Sequence, residues 1–268
     1  MRAVIMQAPG NVVVTETERP EIIEPTDAII ELAAACICGS DLWPYRGHDD
    51  ADNRHMGHEY VGTVVETGSA VTSVKPGDFV VGSFCISDNT CEICESGYQS
   101  RCVNGGFVGG TQAEFARVPQ ADGTLVVVPG GRPDDAGVLA SLLAASDVLG
   151  TGWFGAVAAE AGPGKTVAVV GDGAVGLLAI LAARELGAEK IIAMSRNPQR
   201  QALAREFGAT DIVEARGEEG ISQVKDLTNG LGAHSVVEAV GNEASFDQAL
   251  GCVRPGGHLS FVGVPHGV

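Results

Sequence analysis

The sequence has 268 residues, 45% hydrophobic and 19% charged, a length that favours two domains and a composition able to form a sizeable core. Its 34 acidic residues against 17 basic ones give a net charge of −17, which argues against a nucleic acid or an anionic membrane as the partner. No apolar run is long enough to span a bilayer, and the first residues lack the layout of a signal peptide.

Residues 1 to about 130 predict an all-β region. Short apolar or alternating runs lie between turn sequences such as 75–78, a spacing typical of a compact barrel or sandwich. The predicted strands include 12–14, 27–34, 60–66 and 79–82. From Pro133 the pattern changes to alanine-rich helical segments at 136–145 and 153–161. We therefore place a first domain at 1–150 and a second at 151–268.

The second domain alternates strands with helices, which predicts a doubly wound parallel sheet. The strands are predicted at 165–170, 191–194, 211–213, 235–240 and 258–264. An alanine- and leucine-rich helix ending at Gly187 connects the first two strands, and helices at 199–207, 221–228 and 244–253 connect the later ones. A full dinucleotide-binding sheet has six strands in the order 3-2-1-4-5-6. Because the sequence supplies five, we expect this domain to be incomplete at its C-terminal end, with the fifth strand as an exposed edge.

A glycine motif follows the first strand of this domain. It reads G-D-G-A-V-G and comprises Gly171, Asp172, Gly173, Ala174, Val175 and Gly176. In the G-x-G-x-x-G spacing, the first glycine permits a tight turn, the second lets the backbone approach a pyrophosphate, and the third lets helix and strand pack closely. Since a strand precedes the motif and a helix follows it, we predict a dinucleotide site.

The residues after the second strand bear on which dinucleotide is bound. NAD-binding units usually end this strand in Asp or Glu, which bonds the adenosine ribose. Here the strand ends in Ser195 and Arg196, with Arg200 close behind, and no acidic residue is expected near a 2′-hydroxyl. Arg196 could pair with a 2′-phosphate and Ser195 could donate to it. We therefore expect NADP(H) to be preferred over NAD(H).

The N-terminal region holds candidate zinc ligands. Cys38, His58 and Asp147 supply a thiolate, an imidazole and a carboxylate, and catalytic zinc takes three protein ligands with one open position. On spacing alone this site is weak, since a packed histidine, a buried cysteine and a solvated aspartate explain the same residues.

A second cysteine cluster is a more specific indication of a metal site. Cys91 and Cys94 form a Cys-x-x-Cys pair, and Cys102 follows eight residues later in a polar loop. A lone pair could be a redox centre, but a third cysteine favours zinc. Without a secretion signal, clustered cysteines indicate metal ligands before disulfides, so we expect reduced thiols in the cytoplasm. A metal-free lobe remains an alternative.

Three stretches together resemble the zinc-containing medium-chain alcohol dehydrogenase family. These are G-H-E-Y-V-G at 57–62, K-P-G-D-F-V at 75–80 and the glycine motif, and the resemblance covers the whole chain in order. It implies an N-terminal GroES-like β-barrel domain followed by a Rossmann domain, with the site in the cleft between them. Relatives commonly form oligomers through the end of the Rossmann sheet. For this shortened sequence, we regard such an oligomer as doubtful.

The resemblance also assigns roles around the first zinc. It implies that Cys38 and His58 are catalytic zinc ligands, and that Asp147 occupies a position where some branches place Cys and others Asp. Glu59 matches the carboxylate behind the metal, which can ligate transiently during water exchange. Asp41 resembles the acid that orients the ligating histidine.

Ser40 resembles the proton-relay hydroxyl of the family. Zinc lowers the pKa of an alcohol, so a proton must leave through a hydrogen-bonded hydroxyl. Some relatives end the relay in a histidine three residues later, where this sequence has Trp43, so the exit must differ. For the structural zinc, the fourth cysteine of the family corresponds to Asp88, with Cys85 as a rival ligand.

The sequence therefore predicts a zinc- and NADP(H)-dependent dehydrogenase acting on an alcohol, aldehyde or ketone. Two alternatives stay open: a zinc-free quinone or enoyl reductase of the same superfamily, and a non-catalytic nucleotide-binding fragment. Cys38 and His58 argue against the first alternative, whereas the early end of the sequence supports the second.

Overall fold

A computed structural model describes residues 1–265. The chain divides into two units, Met1–Asp147 and a second unit that begins at Val148. No single helix within the described residues is long and apolar enough to cross a membrane, although the bent pair Ala136–Ala144 and Val148–Ala158 passes that test by length and composition.

The first unit consists mainly of antiparallel strands. Five form a sheet in the order β10-β6-β5-β3-β9, three form a sheet in the order β2-β1-β4, and β7 pairs with β8. The strands are β1 (Arg2–Ala8), β2 (Asn11–Glu16), β3 (Ala28–Ala35), β4 (Arg54–His55), β5 (Tyr60–Thr67), β6 (Phe79–Gly82), β7 (Cys85–Ile86), β8 (Gly106–Phe107), β9 (Phe115–Val118) and β10 (Leu125–Val127). Short helices connect them: α1 (Leu42–Tyr45), α2 (Glu92–Glu95), α3 (Ala121–Thr124) and α4 (Ala136–Ala144). The predicted β-rich domain is confirmed.

The core of the first unit fixes the register that positions the candidate zinc ligands. Ile30, Tyr60 and Val64 are fully or almost fully buried in one cluster, because alternate residues of a strand face the same side. β3 and β5 pair antiparallel with Ala35 opposite Tyr60. The residues just after β3 therefore lie beside the residues just before β5.

The second unit holds one parallel sheet in the order β13-β12-β11-β14-β15. This arrangement confirms the predicted Rossmann-type α/β architecture. Its elements are α5 (Val148–Ala158), β11 (Thr166–Val170), α6 (Ala174–Glu185), β12 (Lys190–Met194), α7 (Pro198–Phe207), β13 (Asp211–Val213), α8 (Gly217–Asp226), β14 (Ala233–Glu238), α9 (Glu243–Cys252) and β15 (Val253–Phe261).

Both faces of this sheet are buried, as a doubly wound sheet requires. In β11, Val167 and Val169 belong to a cluster with α6 and α7, whereas Ala168 and Val170 belong to a second cluster with α8 and α9. The period-2 alternation of a strand explains this division. A strand covered on both faces has no need of polar residues, which is why β11 appears in the sequence as an uninterrupted apolar run.

Three predicted element starts in the second unit are wrong by four or five residues, and the missed part of each element contains glycine. α5 begins at Val148 instead of residue 153 and includes Gly152, where a Cβ would lie 2.7 Å from the Ala179 nitrogen of α6. α8 begins at Gly217 instead of residue 221, with two acidic residues at its positive end. β15 begins at Val253 instead of residue 258, because Val253 already pairs with Ala233, and the turn-like Pro255-Gly256-Gly257 forms an irregularity before pairing resumes at His258.

Candidate functional site

Three segments of the first unit bring the predicted catalytic zinc ligands together. Cys38 follows β3, His58 precedes β5, and Asp147 follows α4. Gly57 has φ of +92°, and a Cβ there would lie 2.6 Å from Cγ of Gln112, so only glycine lets the chain turn into His58. The Phe84 N–H donates to the Ser146 carbonyl at 3.2 Å and anchors the segment that carries Asp147.

The ligand atoms of this cluster have the spacing of a zinc site. His58 Nε2 lies 3.3 Å from Asp147 Oδ2, and Cys38 Sγ lies 3.7 Å from the same oxygen. With Glu59 included, one ligand atom from each residue lies within 4.8 Å of the others. A tetrahedral zinc with bonds of about 2.0–2.3 Å separates its ligand atoms by about 3.3–3.8 Å. Both the donor set and its spacing therefore fit zinc.

Asp41 contacts two of the candidate zinc ligands, Cys38 and His58. It is buried, its Oδ2 accepts the Cys38 N–H at 3.0 Å, and its Oδ1 lies 3.7 Å from His58 Nδ1. That second distance is an ion-pair contact, longer than a hydrogen bond. Burial alone would lower the pKa of His58, but hydrogen bonds with Asp147 and Cys38 and the charge of Asp41 raise it to about 10.

Glu59 is buried beside the cluster with one oxygen left unpaired. The Cys36 thiol donates to Oε2 at 3.0 Å, whereas Oε1 has no hydrogen-bond partner within residues 1–265. Burial raises the pKa of Glu59. An orphaned carboxylate oxygen next to a thiolate, an imidazole and a second carboxylate suits a cation at this position. Sequence reasoning gave Cys36 no role, and nothing in its spacing indicated this contact.

Ser40 lies in a 3-10 turn, Gly39–Asp41, directly after Cys38. It is half-buried, and its hydroxyl makes no hydrogen bond within the described part of the chain. The hydroxyl is thus available to a ligand. Trp43 packs its ring edge-on to His48 at 5.4 Å. The Phe84 ring meets the His58 ring edge-on at 6.1 Å and stacks on Phe107, which gives the cluster an aromatic neighbour that the sequence did not predict.

The second predicted cluster also converges. One ligand atom each from Asp88, Cys91, Cys94 and Cys102 lies within 4.8 Å of the others. All seven cysteines of the chain are free thiols, so no disulfide competes for these ligands. The N–H groups of Thr90 and Cys91 and the amide of Asn104 hold the pKa of Asp88 well below its usual range. An ionised carboxylate with three thiols fits a closed zinc site.

Cys85, the rival fourth ligand, lies outside this group. It is buried at the start of β7, where it pairs with Phe107 of β8. Burial raises the pKa of its thiol to about 11. Asp88 therefore fits the second zinc site and Cys85 does not.

We expect zinc binding at the Cys38–His58–Asp147 cluster to weaken as the pH falls. With a pKa of about 10, His58 is protonated at neutral pH in the zinc-free protein, and this proton must leave before the nitrogen can bind a metal. Since that pKa lies above the ordinary 6.5, the proton stabilises the zinc-free fold fully below pH 6.5, and its contribution disappears as the pH rises through about 10.

The apparent zinc affinity should accordingly fall by at least about tenfold for each pH unit below 10. Titration against a competing chelator at three pH values between about 6 and 8 measures this slope. The matched control is His258→Gln, which removes an exposed histidine paired with Glu160 in the other unit and should leave the slope unchanged. An affinity independent of pH would contradict the proposed role of His58.

The glycine motif of the second unit has the geometry of a dinucleotide-binding turn. Gly171 has φ of +121°, a conformation that other residues rarely adopt. A Cβ at Gly173 would meet nothing within 4 Å, whereas a Cβ at Gly176 would lie 2.1 Å from the Gly171 carbonyl oxygen. The open space at Gly173 and the uncapped N-terminus of α6 suit a pyrophosphate.

One part of the cofactor prediction is wrong, because an acidic residue does lie beside Ser195. The Ser195 hydroxyl donates to Asp172 Oδ2 at 2.8 Å, and the Arg200 guanidinium donates to Asp172 Oδ1 at 2.8 Å. Asp172 comes from the glycine motif and not from the end of β12, where NAD-binding units usually place such an acid. Arg196 is exposed and makes no hydrogen bond or ion pair within residues 1–265.

Comparison with known families covers both units. The family model described as an alcohol dehydrogenase GroES-like domain matches residues 24–130, and the model described as a zinc-binding dehydrogenase matches residues 174–268. The solved structure of the alcohol dehydrogenase TADH from Thermus sp. ATN1 superposes with a TM-score of 0.87 at 37% identity, covering 99% of this chain and 78% of that one.

Two sequence relatives cover the chain almost completely. The medium chain reductase/dehydrogenase ucsI of Acremonium sp is 39% identical over 280 residues, which is 99% of this chain and 94% of the relative. The zinc-type alcohol dehydrogenase B of Aspergillus flavus is 38% identical over all of this chain, which spans 64% of that relative's length. With the two metal-ligand clusters and the glycine motif in place, the chain belongs to the zinc-containing medium-chain alcohol dehydrogenase family.

Proposed function

We propose that the protein is a zinc-dependent alcohol dehydrogenase that transfers a hydride between NADP(H) and an alcohol, aldehyde or ketone. The observation that carries the proposal is the spacing of the thiol, imidazole and carboxylate of Cys38, His58 and Asp147. We assign residues 1–150 to the GroES-like catalytic domain and 151–268 to the NADP-binding domain. A zinc-free reductase would have no use for this donor set, in which Asp147 is buried and Cys38 and His58 are partly buried.

Each residue near the cluster has a separate task in this proposal. Cys38, His58 and Asp147 hold a zinc ion, which when bound acts as a Lewis acid toward the substrate oxygen. Ser40, with its free hydroxyl, accepts the substrate proton and passes it on. Asp41 holds the Cys38 backbone and the His58 ring in place. Glu59 lies beside the cluster, and its unpaired oxygen Oε1 favours a cation there.

The cofactor side of the proposal depends on charge. A 2′-phosphate carries a charge of about −1.5 to −2, which two exposed guanidinium groups, those of Arg196 and Arg200, can neutralise. Ser195 adds a hydroxyl donor at the same end of β12. The backbone of Gly173, Ala174, Val175 and Gly176 at the start of α6 receives the pyrophosphate. These donors suit a 2′-phosphate, and the proposed preference for NADP(H) over NAD(H) requires Ser195 and Arg200 to bind that phosphate in place of Asp172.

The second cluster completes the proposal without taking part in catalysis. Asp88, Cys91, Cys94 and Cys102 hold a structural zinc, since four protein ligands leave no open position for a substrate. Thiolate ligands require reduced cysteines, which is consistent with a cytoplasmic location.

The test combines metal content with turnover. We expect two zinc ions per chain in the folded protein and reduction of NADP+ by small primary or secondary alcohols. Arg196→Gln should weaken NADPH binding by about tenfold and leave NADH binding unchanged, because one charge contact to a phosphate is lost. Zinc-free folded protein that reduces a quinone or an enoyl compound would overturn the proposal.

A further inference from the structure

The Asp172 carboxylate accepts hydrogen bonds from Ser195 and Arg200, two side chains that the proposed site for the adenosine 2′-phosphate needs. The side chain is partly buried, with 23% of its surface exposed, and it bonds Ser195 and Arg200 together at 2.8 Å each. Burial works against ionisation, but the hydroxyl of Ser195 and the guanidinium of Arg200 outweigh it and hold the pKa of Asp172 below its usual range. The carboxylate is therefore ionised at neutral pH.

The fold brings these groups together from distant positions. β11 and β12 are parallel neighbours with Val170 opposite Met194, so the residues after them meet at the carboxyl edge of the sheet. Asp172 lies two residues after β11 and Ser195 one residue after β12. Arg200 lies in the first turn of α7, which Asn197 caps by accepting the N–H groups of Gln199 and Arg200. This edge is where open α/β sheets bind their ligands.

We propose that Asp172 sets the choice between the two nicotinamide cofactors by competing with the adenosine 2′-phosphate for Ser195 and Arg200. The proposal rests on the proposed dehydrogenase function. A phosphate entering this edge would bring a second anion to donors that a carboxylate already holds, and like charges repel. NADP(H) must therefore displace Asp172, whereas the 2′-hydroxyl of NAD(H) can donate to it.

Three features separate Asp172 from an ordinary turn residue. Its two partners lie in different segments, Ser195 just after β12 and Arg200 in α7, 23 and 28 residues away in the sequence. Both partners are donors of the kind that binds phosphate. The neighbouring Gly173 leaves open space on the side where the dinucleotide would approach. A purely structural acid would influence both cofactors equally, so the ratio of the two affinities distinguishes the two roles.

The experiment compares Asp172→Asn with the wild-type protein. The asparagine keeps the size of the side chain and removes its charge. We expect the NADPH affinity relative to the NADH affinity to rise by about tenfold to a hundredfold, since one repulsive charge near the phosphate disappears. Dissociation constants are measured by titration without substrate, and again with adenosine 2′,5′-bisphosphate against AMP, which probes the adenosine end independently of zinc and turnover.

Two further variants make the outcome decisive. Glu185→Gln removes the carboxylate of a different ion pair, Arg184–Glu185, at the C-terminal end of α6, about 17 Å along the helix. This variant should leave the ratio of NADPH affinity to NADH affinity unchanged. Asp172→Ser provides a second uncharged variant in case the asparagine disturbs the turn. An unchanged or lower ratio in both Asp172 variants would overturn the role of Asp172 alone, whereas no binding of either cofactor by the wild-type protein would overturn the dehydrogenase proposal with it.

Discussion

Replacing Cys38 with serine is expected to remove one zinc ion per chain and to lower kcat/KM for alcohol oxidation by at least about a thousandfold. The cluster loses its thiolate, the donor that a borderline-soft metal binds most strongly. Lewis-acid stabilisation of a developing charge contributes several kcal/mol, and each 1.36 kcal/mol corresponds to a factor of about ten in rate. Elemental analysis and steady-state kinetics on the same preparation measure both effects.

Cys36→Ser is the matched control for this prediction. Cys36 lies two residues away, and its thiol donates to Glu59, a bond that a serine hydroxyl can replace. This variant should keep both zinc ions and retain activity within a factor of a few. If Cys38→Ser kept two zinc ions and full turnover, Cys38 would not be a ligand. If Cys36→Ser lost the zinc as well, the ligand set would have to include both thiols.

The parts of the fold that were predictable from the sequence are those with local backbone requirements. The turn at Gly171 needs a positive φ, and the close contact of Gly176 with the Gly171 carbonyl excludes any side chain at residue 176. The glycine spacing in the sequence therefore predicts the geometry of this turn. The same applies to Gly57, which leads into His58. The buried strands of the parallel sheet are visible as apolar runs because both of their faces are covered.

The parts that were not predictable depend on contacts between distant residues. The bond between Asp172 and Ser195 arises only because β11 and β12 are neighbours, and a search for an acid at the end of β12 overlooks an acid that follows β11. The Cys36 contact with Glu59 depends on the register of β3 and β5 in the same way. The choice between Asp88 and Cys85 needed the pairing of β7 with β8, which carries Cys85 away from the second cluster.

Replacing Cys94 with serine is expected to remove the second zinc ion and to unfold the segment it holds, while the first zinc stays bound. Structural zinc contributes an apparent binding free energy of about 10–16 kcal/mol in small peptide sites. The segment from Asp88 to Cys102 has little regular structure besides the single turn of α2 and a 3-10 turn at Gln99–Arg101. Trypsin should cleave at the exposed Arg101 at least about tenfold faster, because local unfolding exposes the backbone.

A pair of variants tests which residue completes this site. Asp88→Asn keeps an oxygen that can accept from the N–H groups of Thr90 and Cys91, so the turn stays hydrogen-bonded while the ionised ligand is lost. It should therefore lose the second zinc and become sensitive to trypsin at Arg101, like Cys94→Ser. Cys85→Ser should keep two zinc ions and resist trypsin like the wild-type protein. The reverse pattern would make Cys85 the fourth ligand, and two zinc ions in all three variants would show that this cluster binds no metal, because ligand loss must reduce zinc content at a four-ligand site.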